Sequence, residues 1–297
     1  MSARLSVIFC GTPEFAVPSL AALCVDDRFS VDLVISQPDK PVGRSQELTP
    51  SPVKIFAKEQ GIEVWQPENL NKEFAAYHFA KRPDFLVVVA YGQILSQQIL
   101  DFPIIAPVNV HASLLPTLRG ASPLQHAVLL GHKQSGVTIQ KMVRELDAGP
   151  ILGQSSIDLD PRETTASLHD KLSALGASLL IETLSQPLKP IDQDDSKATF
   201  CRKLTRDDGI VDFRTMTAQE IDRKVRALVP WPGVKWNDIK ILATDVVAQP
   251  NSIAVSCAHN TQLFITSLQP SGRKPMSGTD FDRGYAEVVK KMKNLSL

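Results

Sequence analysis

The sequence lacks the features that define several large protein classes. Its four cysteines, Cys10, Cys24, Cys201 and Cys257, stand far apart with no Cys-x-x-Cys pair. That argues against a zinc site or a disulfide framework and fits a reducing cytoplasm. No apolar run approaches the roughly 18 residues of a membrane-crossing helix; the strongest is Phe85-Leu-Val-Val-Val-Ala90. Aromatic residues make up only 6% of the 297, and few interleave the basic ones, so stacking on unpaired bases is not indicated. The opening stretch, Met1-Ser-Ala-Arg-Leu-Ser-Val-Ile-Phe-Cys10, is too short for a secretory leader and reads as a first strand. Internal repeats and low-complexity tracts are missing too. What remains is 43% hydrophobic and 22% charged, an ordinary globular composition with length for about two domains.

Net charge is also lacking, since 32 Lys+Arg balance 32 Asp+Glu. The balance hides a division. Residues 1–187 carry 15 basic and 19 acidic side chains, whereas residues 188–297 carry 17 and 13. A basic C-terminal part can attract a polyanion.

Short Val-, Ile- and Phe-rich runs predict strands over 5–10, 31–36, 62–65, 85–91, 108–112 and 137–143. Helical texture lies over 13–24, 52–60, 72–81 and 123–131. Strands apolar on both faces and separated by helices predict a mostly parallel, Rossmann-like α/β sheet. A dinucleotide fingerprint is absent, because only Gly11 stands where Gly-x-Gly-x-x-Gly is needed. Residues 38–52 hold four prolines and a glycine, which predicts an irregular, functional loop. A long amphipathic helix is expected over 164–184, followed by a polar, proline-containing linker over 186–196. Beyond it the texture changes. A helix over Ala218–Leu228 sets Ile221, Val225 and Leu228 opposite Arg223 and Arg226. Short strands over 234–241, 245–248, 253–257 and 263–268 then predict a small antiparallel barrel.

The richest segment for chemistry is Pro107-Val-Asn-Val-His-Ala-Ser-Leu-Leu-Pro-Thr-Leu-Arg-Gly-Ala-Ser-Pro123. Asn109 and His111 alternate along a strand, so they share a face. They lie near its C-terminal end, where open α/β sheets bind ligands. The pair fits either a self-satisfied structural role or a ligand site. Asp147, in Leu146-Asp-Ala-Gly-Pro150, stands at a strand exit and is of the type that orients an imidazole. His78, His126, His132, His169 and His259 show no metal-ligand spacing and read as structural; Cys10 reads as core and Trp231 as packing.

Asn109-Val-His111, Ser113-Leu-Leu-Pro-Thr-Leu-Arg-Gly120 and Leu146-Asp-Ala-Gly-Pro150 resemble the signature of folate-dependent formyltransferases. Phe9-Cys-Gly-Thr-Pro-Glu-Phe-Ala-Val-Pro18, Gln37-Pro-Asp-Lys-Pro-Val-Gly-Arg44 and Ala90-Tyr-Gly-Gln-Ile-Leu95 narrow the match. So do Arg202-Lys-Leu-Thr-Arg-Asp-Asp-Gly209 and Ile221-Asp-Arg-Lys-Val-Arg-Ala-Leu-Val-Pro-Trp-Pro-Gly233. Over nearly its whole length the chain resembles the methionyl-tRNA formyltransferase family.

The resemblance implies a transfer. 10-formyltetrahydrofolate is the formyl donor, and the α-amine of methionine on initiator tRNA is the acceptor. Asn109, His111 and Asp147 match the catalytic set; Ser113, Leu114, Leu115 and Pro116 match the stretch lining the folate site. Tyr91, Gly92, Gln93 and Ile94 match the loop beside the pterin, and Arg44 matches the basic residue of the inserted loop that reaches the acceptor stem. Lys203, Arg206, Arg223 and Arg226 are further candidates for tRNA phosphates, with Arg273 and Lys274 alike in kind. The inserted loop departs from the family pattern, with Ser45-Gln-Glu47 where lysines are frequent; Glu47 would repel phosphate. The expected division is a catalytic domain over 1–187, a linker over 188–204 and an OB-like, tRNA-binding β-barrel over 205–297. No metal, membrane or obligate protein partner is implied. Formyl-methionine initiation implies a bacterial-type system or an organelle derived from one, and the lack of a leader-like opening favours a bacterial cytoplasm. Two other readings stand beside this one. Formyl transfer to a small amine shares the catalytic set but leaves the inserted loop and basic part without a role. A noncatalytic RNA- or folate-binding module leaves the Asn109, His111 and Asp147 set without one.

Overall fold

The computed structural model describes residues 4–42 and 46–293. The chain forms two compact units that interleave along the sequence. One holds Met1–Gly120, Gln134–Asp158 and His169–Phe200; the other holds Ala121–Lys133, Leu159–Leu168 and Cys201–Leu297.

The first unit is built on a seven-stranded sheet. Its strands are β1 Leu5–Gly11, β2 Phe29–Ile35, β3 Val64–Trp65, β4 Phe85–Val89, β5 Ala106–His111, β6 Gln134–Lys141 and β7 Ile151–Asp158. They lie in the order β7-β6-β5-β4-β1-β2-β3. From β3 to β5 all pairings are parallel; β6 pairs antiparallel with β5 on one side and with β7 on the other. Every residue of β4 is buried, as its unbroken apolar run demands of a strand covered on both faces. The order of the parallel strands reverses beside β1. The crevice at their C-terminal ends is therefore the expected ligand side of such a sheet.

The second unit carries a five-stranded sheet. Its strands are β8 Val234–Trp236, β9 Ile239–Asp245, β10 Ile253–Cys257, β11 Thr261–Gln269 and β12 Met276–Ser277. All the pairings are antiparallel. The helix Ala218–Leu228 is held at its start by a capping box between Thr217 and Glu220. It buries Ile221, Val225 and Leu228, each stabilising by about 1.5–3 kcal/mol relative to exposure.

Several sequence expectations need correction. The helix expected over 72–81 is one turn, Leu70–Glu73, followed by a 3-10 turn at Phe74–Ala76. Beyond it Tyr77 stacks on Trp65 at 4.3 Å, and Phe79 lies 4.7 Å from the ring of Phe102. A continued helix would turn Tyr77 and Phe79 to opposite faces; aromatic clustering prevails. The strand expected at 245–248 ends at Asp245, whose carboxylate accepts the N–H groups of Val246 and Val247 and turns the chain out. Residues 38–52 are not wholly irregular: Lys40–Val42 pairs antiparallel with Glu47–Thr49. β7 was not expected at all. It is an edge strand alternating between half-buried and exposed positions, so it has no apolar run to mark it.

Candidate active site

Asn109 and His111 lie at the C-terminal end of β5, between β4 and the antiparallel β6. The His111 ring is buried. Its Nε2 lies 3.0 Å from the main-chain oxygen of Leu118. A carbonyl only accepts, so Nε2 carries hydrogen. Nδ1 faces the Asp147 carboxylate, 3.6 Å from Oδ1. That is longer than a hydrogen bond. Both ring nitrogens thus face oxygen acceptors, one at hydrogen-bond length and one beyond it.

Asp147 leaves the turn after β6 with a positive φ of 52°, a conformation costing a non-glycine residue about 1–2 kcal/mol. The turn is locked where a side chain has no room: a Cβ on Gly149 would lie 1.8 Å from the Lys141 carbonyl oxygen. Each carboxylate oxygen is engaged. Oδ2 accepts the Gly120 N–H at 2.8 Å, and Oδ1 accepts the Gln140 side-chain amide at 2.9 Å. Behind it, Gln193 donates to the main-chain oxygens of Asp147 at 2.9 Å and Gly149 at 2.6 Å. The buried Arg119 guanidinium in turn donates to Gln193 Oε1 at 3.0 and 2.8 Å and pairs with Asp195 at 2.7 Å. The Asn109 side chain is half-buried and has no hydrogen-bond partner among the described residues. One strand face therefore offers an uncommitted amide beside a clamped imidazole–carboxylate pair.

Comparison with known proteins fits this arrangement. A family model described as formyl transferase matches residues 3–184, and one described as formyl transferase, C-terminal domain, matches 203–286. A methionyl-tRNA formyltransferase from Bacillus velezensis is 41% identical over 94% of this chain and 94% of its own length. One from Bacillus subtilis is 39% identical over the same shares. The chain belongs to the methionyl-tRNA formyltransferase family. The fold agrees with that of an N-formyltransferase from Helicobacter canadensis solved with folinic acid and dTDP-3-aminofucose. That likeness has a TM-score of 0.68 at 18% identity and covers 88% of this chain and 99% of the other.

In this member of the methionyl-tRNA formyltransferase family, a cavity of about 130 Å³ adjoins Asp147. It is lined by Gln93, Ile94, Leu95, Met142 and Gln140 among others. Gln93 reaches it with its side chain already committed: Oε1 accepts from Leu70 N–H and Nε2 donates to Glu68 O. Gly92, Gln93 and Ile94 also border an open depression with Gln37, Lys40 and Asn71. The Tyr91 ring instead belongs to the core beside Cys10, and burial pushes its hydroxyl pKa up. Ser113, Leu114, Leu115 and Pro116 do not line the cavity. Ser113 Oγ donates to Thr117 O, and Leu115 N–H donates to Thr138 Oγ1.

The basic candidates divide as well. Lys203 and Arg206 are exposed and form no ion pair among the described residues. Arg226 does not stand on a solvated face: it donates to Asp222 at 2.9 Å and to Glu163 O at 2.6 Å, with its side chain 13% exposed. Arg223 packs against Gly131 with its Nε buried and unpartnered. Arg44 lies outside the described residues. Among those described, no cluster of His, Cys, Asp and Glu could hold a metal, and no helix is long and apolar enough to cross a membrane.

Sequence reasoning missed Gln140, Arg119 and Gln193. Gln140 had a faint signal, a polar residue interrupting an apolar strand; Arg119 lay inside the quoted motif. Gln193 had none, because it stands in the polar segment taken for a linker.

Proposed function

We propose that the chain transfers the formyl group of 10-formyltetrahydrofolate to the α-amine of methionine on initiator tRNA. The observation that carries this reading is the meeting of His111 and Asp147 beside the uncommitted Asn109 amide, in a chain 41% identical to a methionyl-tRNA formyltransferase. The donor supplies an activated one-carbon carbonyl. Asn109 directs an N–H toward the oxygen that gains negative charge as the amine attacks, the kind of interaction worth about 10²–10³ in rate. His111 adds a second donor through Nδ1, the nitrogen not fixed at hydrogen-bond length. Asp147 stabilises the imidazolium and, with His111, moves the proton given up by the amine toward the leaving nitrogen.

The mostly apolar cavity beside Asp147 suits a flat heteroaromatic ring, with Gln93 and Ile94 on its wall. We assign the same donor to Tyr91 and Gly92 through their main chain and to the stretch from Ser113 through Leu114 and Leu115 to Pro116. Lys203, Arg206 and Arg223, with Arg44 from the inserted loop, are assigned to tRNA phosphates. The division at 1–187, 188–204 and 205–297, closure of the C-terminal sheet into an OB-like barrel and a bacterial cytoplasmic location belong to the same reading.

One assay tests it. Purified protein receives 10-formyltetrahydrofolate with methionyl initiator tRNA, an amino sugar nucleotide or glycinamide ribonucleotide, and formylated product is counted. Product with the tRNA alone is expected. Product with small amines alone overturns the reading, and product with none favours a binding module.

A further inference from the structure

Gln140 is the antiparallel partner of Asn109 in the β5–β6 register. Directly opposed residues share a face with their Cβ atoms about 4.5–5.5 Å apart. Gln140 is 2% exposed. Its Nε2 is committed to Asp147 Oδ1 at 2.9 Å, while its Oε1 is buried with no partner. A flip of the carboxamide does not cure this, because it would set Oε1 against the carboxylate. Asp147 therefore fixes which end is left over, and that end is an acceptor. An unsatisfied buried acceptor is unfavourable, and such groups in native structures call for an explanation. Gln140 also lines the cavity beside Asp147.

Two neighbouring carboxamides thus have open ends: Asn109 at both, so its N–H is available, and Gln140 at its acceptor alone. Resting on the formyl-transfer reading above, we propose that Asn109 and Gln140 form a subsite that reads the forming formamide. Asn109 donates to its oxygen, and Gln140 Oε1 accepts the N–H of the acceptor amine. Gln140 takes no proton. It holds the nitrogen while the new C–N bond forms, the bond to the donor nitrogen breaks and the amine's other proton leaves through His111 and Asp147. A tertiary nitrogen, such as the one bearing the formyl group in the donor, has no N–H to offer, so the contact selects the acceptor side of the reaction.

The test uses the full chain with Gln140→Met, which keeps the side-chain volume and removes both polar ends. Turnover on methionyl initiator tRNA should fall about 10–100-fold. The KM for 10-formyltetrahydrofolate should stay within about threefold. The fold should be retained, because loss of the hydrogen bond to Asp147 is partly offset by removal of the unmatched oxygen. Two inhibitors separate contact with the amine from an effect through Asp147: tRNA carrying N-formylmethionine, and tRNA carrying the O-formyl ester of the α-hydroxy analogue, which keeps the carbonyl and lacks the N–H. Wild type should bind the formamide at least about tenfold more tightly than the ester, and Gln140→Met should bind the two alike. Equal binding by wild type overturns the proposal whether or not the variant folds. So does unaltered turnover in Gln140→Met, or a loss confined to donor affinity. A wild type that never formylates methionyl-tRNA overturns the parent reading, and this one with it.

Discussion

Gln193 follows Asp147 by 46 residues and donates its side-chain amide to the Asp147 main-chain oxygen at 2.9 Å. The same amide reaches Gly149 O, while its own oxygen accepts from Arg119. One side chain thus joins a strained turn to a buried guanidinium. Gln193→Ala should lower stability by about 1–3 kcal/mol in urea unfolding, the range for leaving buried groups unsatisfied. It should lower turnover by about tenfold, with substrate KM values little changed, because a loosened turn misplaces Asp147. Wild-type turnover in this variant would show that the turn holds itself.

His111→Ala and Asp147→Asn should each reduce turnover by about 10²–10³ while leaving the fold intact. Asp147→Asn is the sharper test. An asparagine offers one acceptor oxygen where the carboxylate accepts from both Gly120 and Gln140, so one of those donors must lose its partner. Near-normal turnover by either variant in the tRNA assay would remove it from the proposed roles.

The central sheet was legible because apolar strands such as Phe85–Val89 announce themselves. The motifs that hold Asn109, His111 and Asp147 stand out in the sequence as well, but the approach of Asp147 to His111 does not. Other features follow from long-range pairing that a linear reading does not display. β7 alternates too weakly to stand out. Arg226 has the spacing of an exposed helix face, yet a buried Asp222 one turn away draws it inward. Gln193 lies in a polar segment whose backbone returns to β7, where Ile191 bridges to Ile151.

The cysteines should differ sharply in reactivity. Burial pushes the Cys10 thiol well up and the Cys257 thiol up to about 11, and Cys201 is buried. Cys24 is partly exposed, although burial raises it as well. A raised thiol pKa leaves little thiolate at pH 8, and the thiolate is the nucleophile. Iodoacetamide on native protein at pH 8 should therefore label Cys24 first and slowly. Labelling should accelerate as pH rises, and Cys10 should react only after unfolding. Peptide mass spectrometry reads this directly; early modification of Cys10 or Cys257 would contradict the packing around them.

The basic residues should separate by salt dependence. A side chain that neutralises a phosphate releases about one counterion, so its loss lowers both affinity and the slope of log K against log salt by about 1. Lys203→Ala and Arg206→Ala should behave so, because both are exposed and free of ion pairs among the described residues. Arg44→Ala enters the same series. Arg226→Ala should instead leave the slope unchanged and lower stability by about 1–3 kcal/mol. That is less than the ~3–5 kcal/mol of a fully broken buried pair, because Arg162 still donates to both oxygens of Asp222, at 2.9 and 2.8 Å. A salt series of tRNA affinity beside urea unfolding distinguishes the two classes; a reduced slope in Arg226→Ala would mean that its guanidinium turns outward to the nucleic acid when tRNA binds.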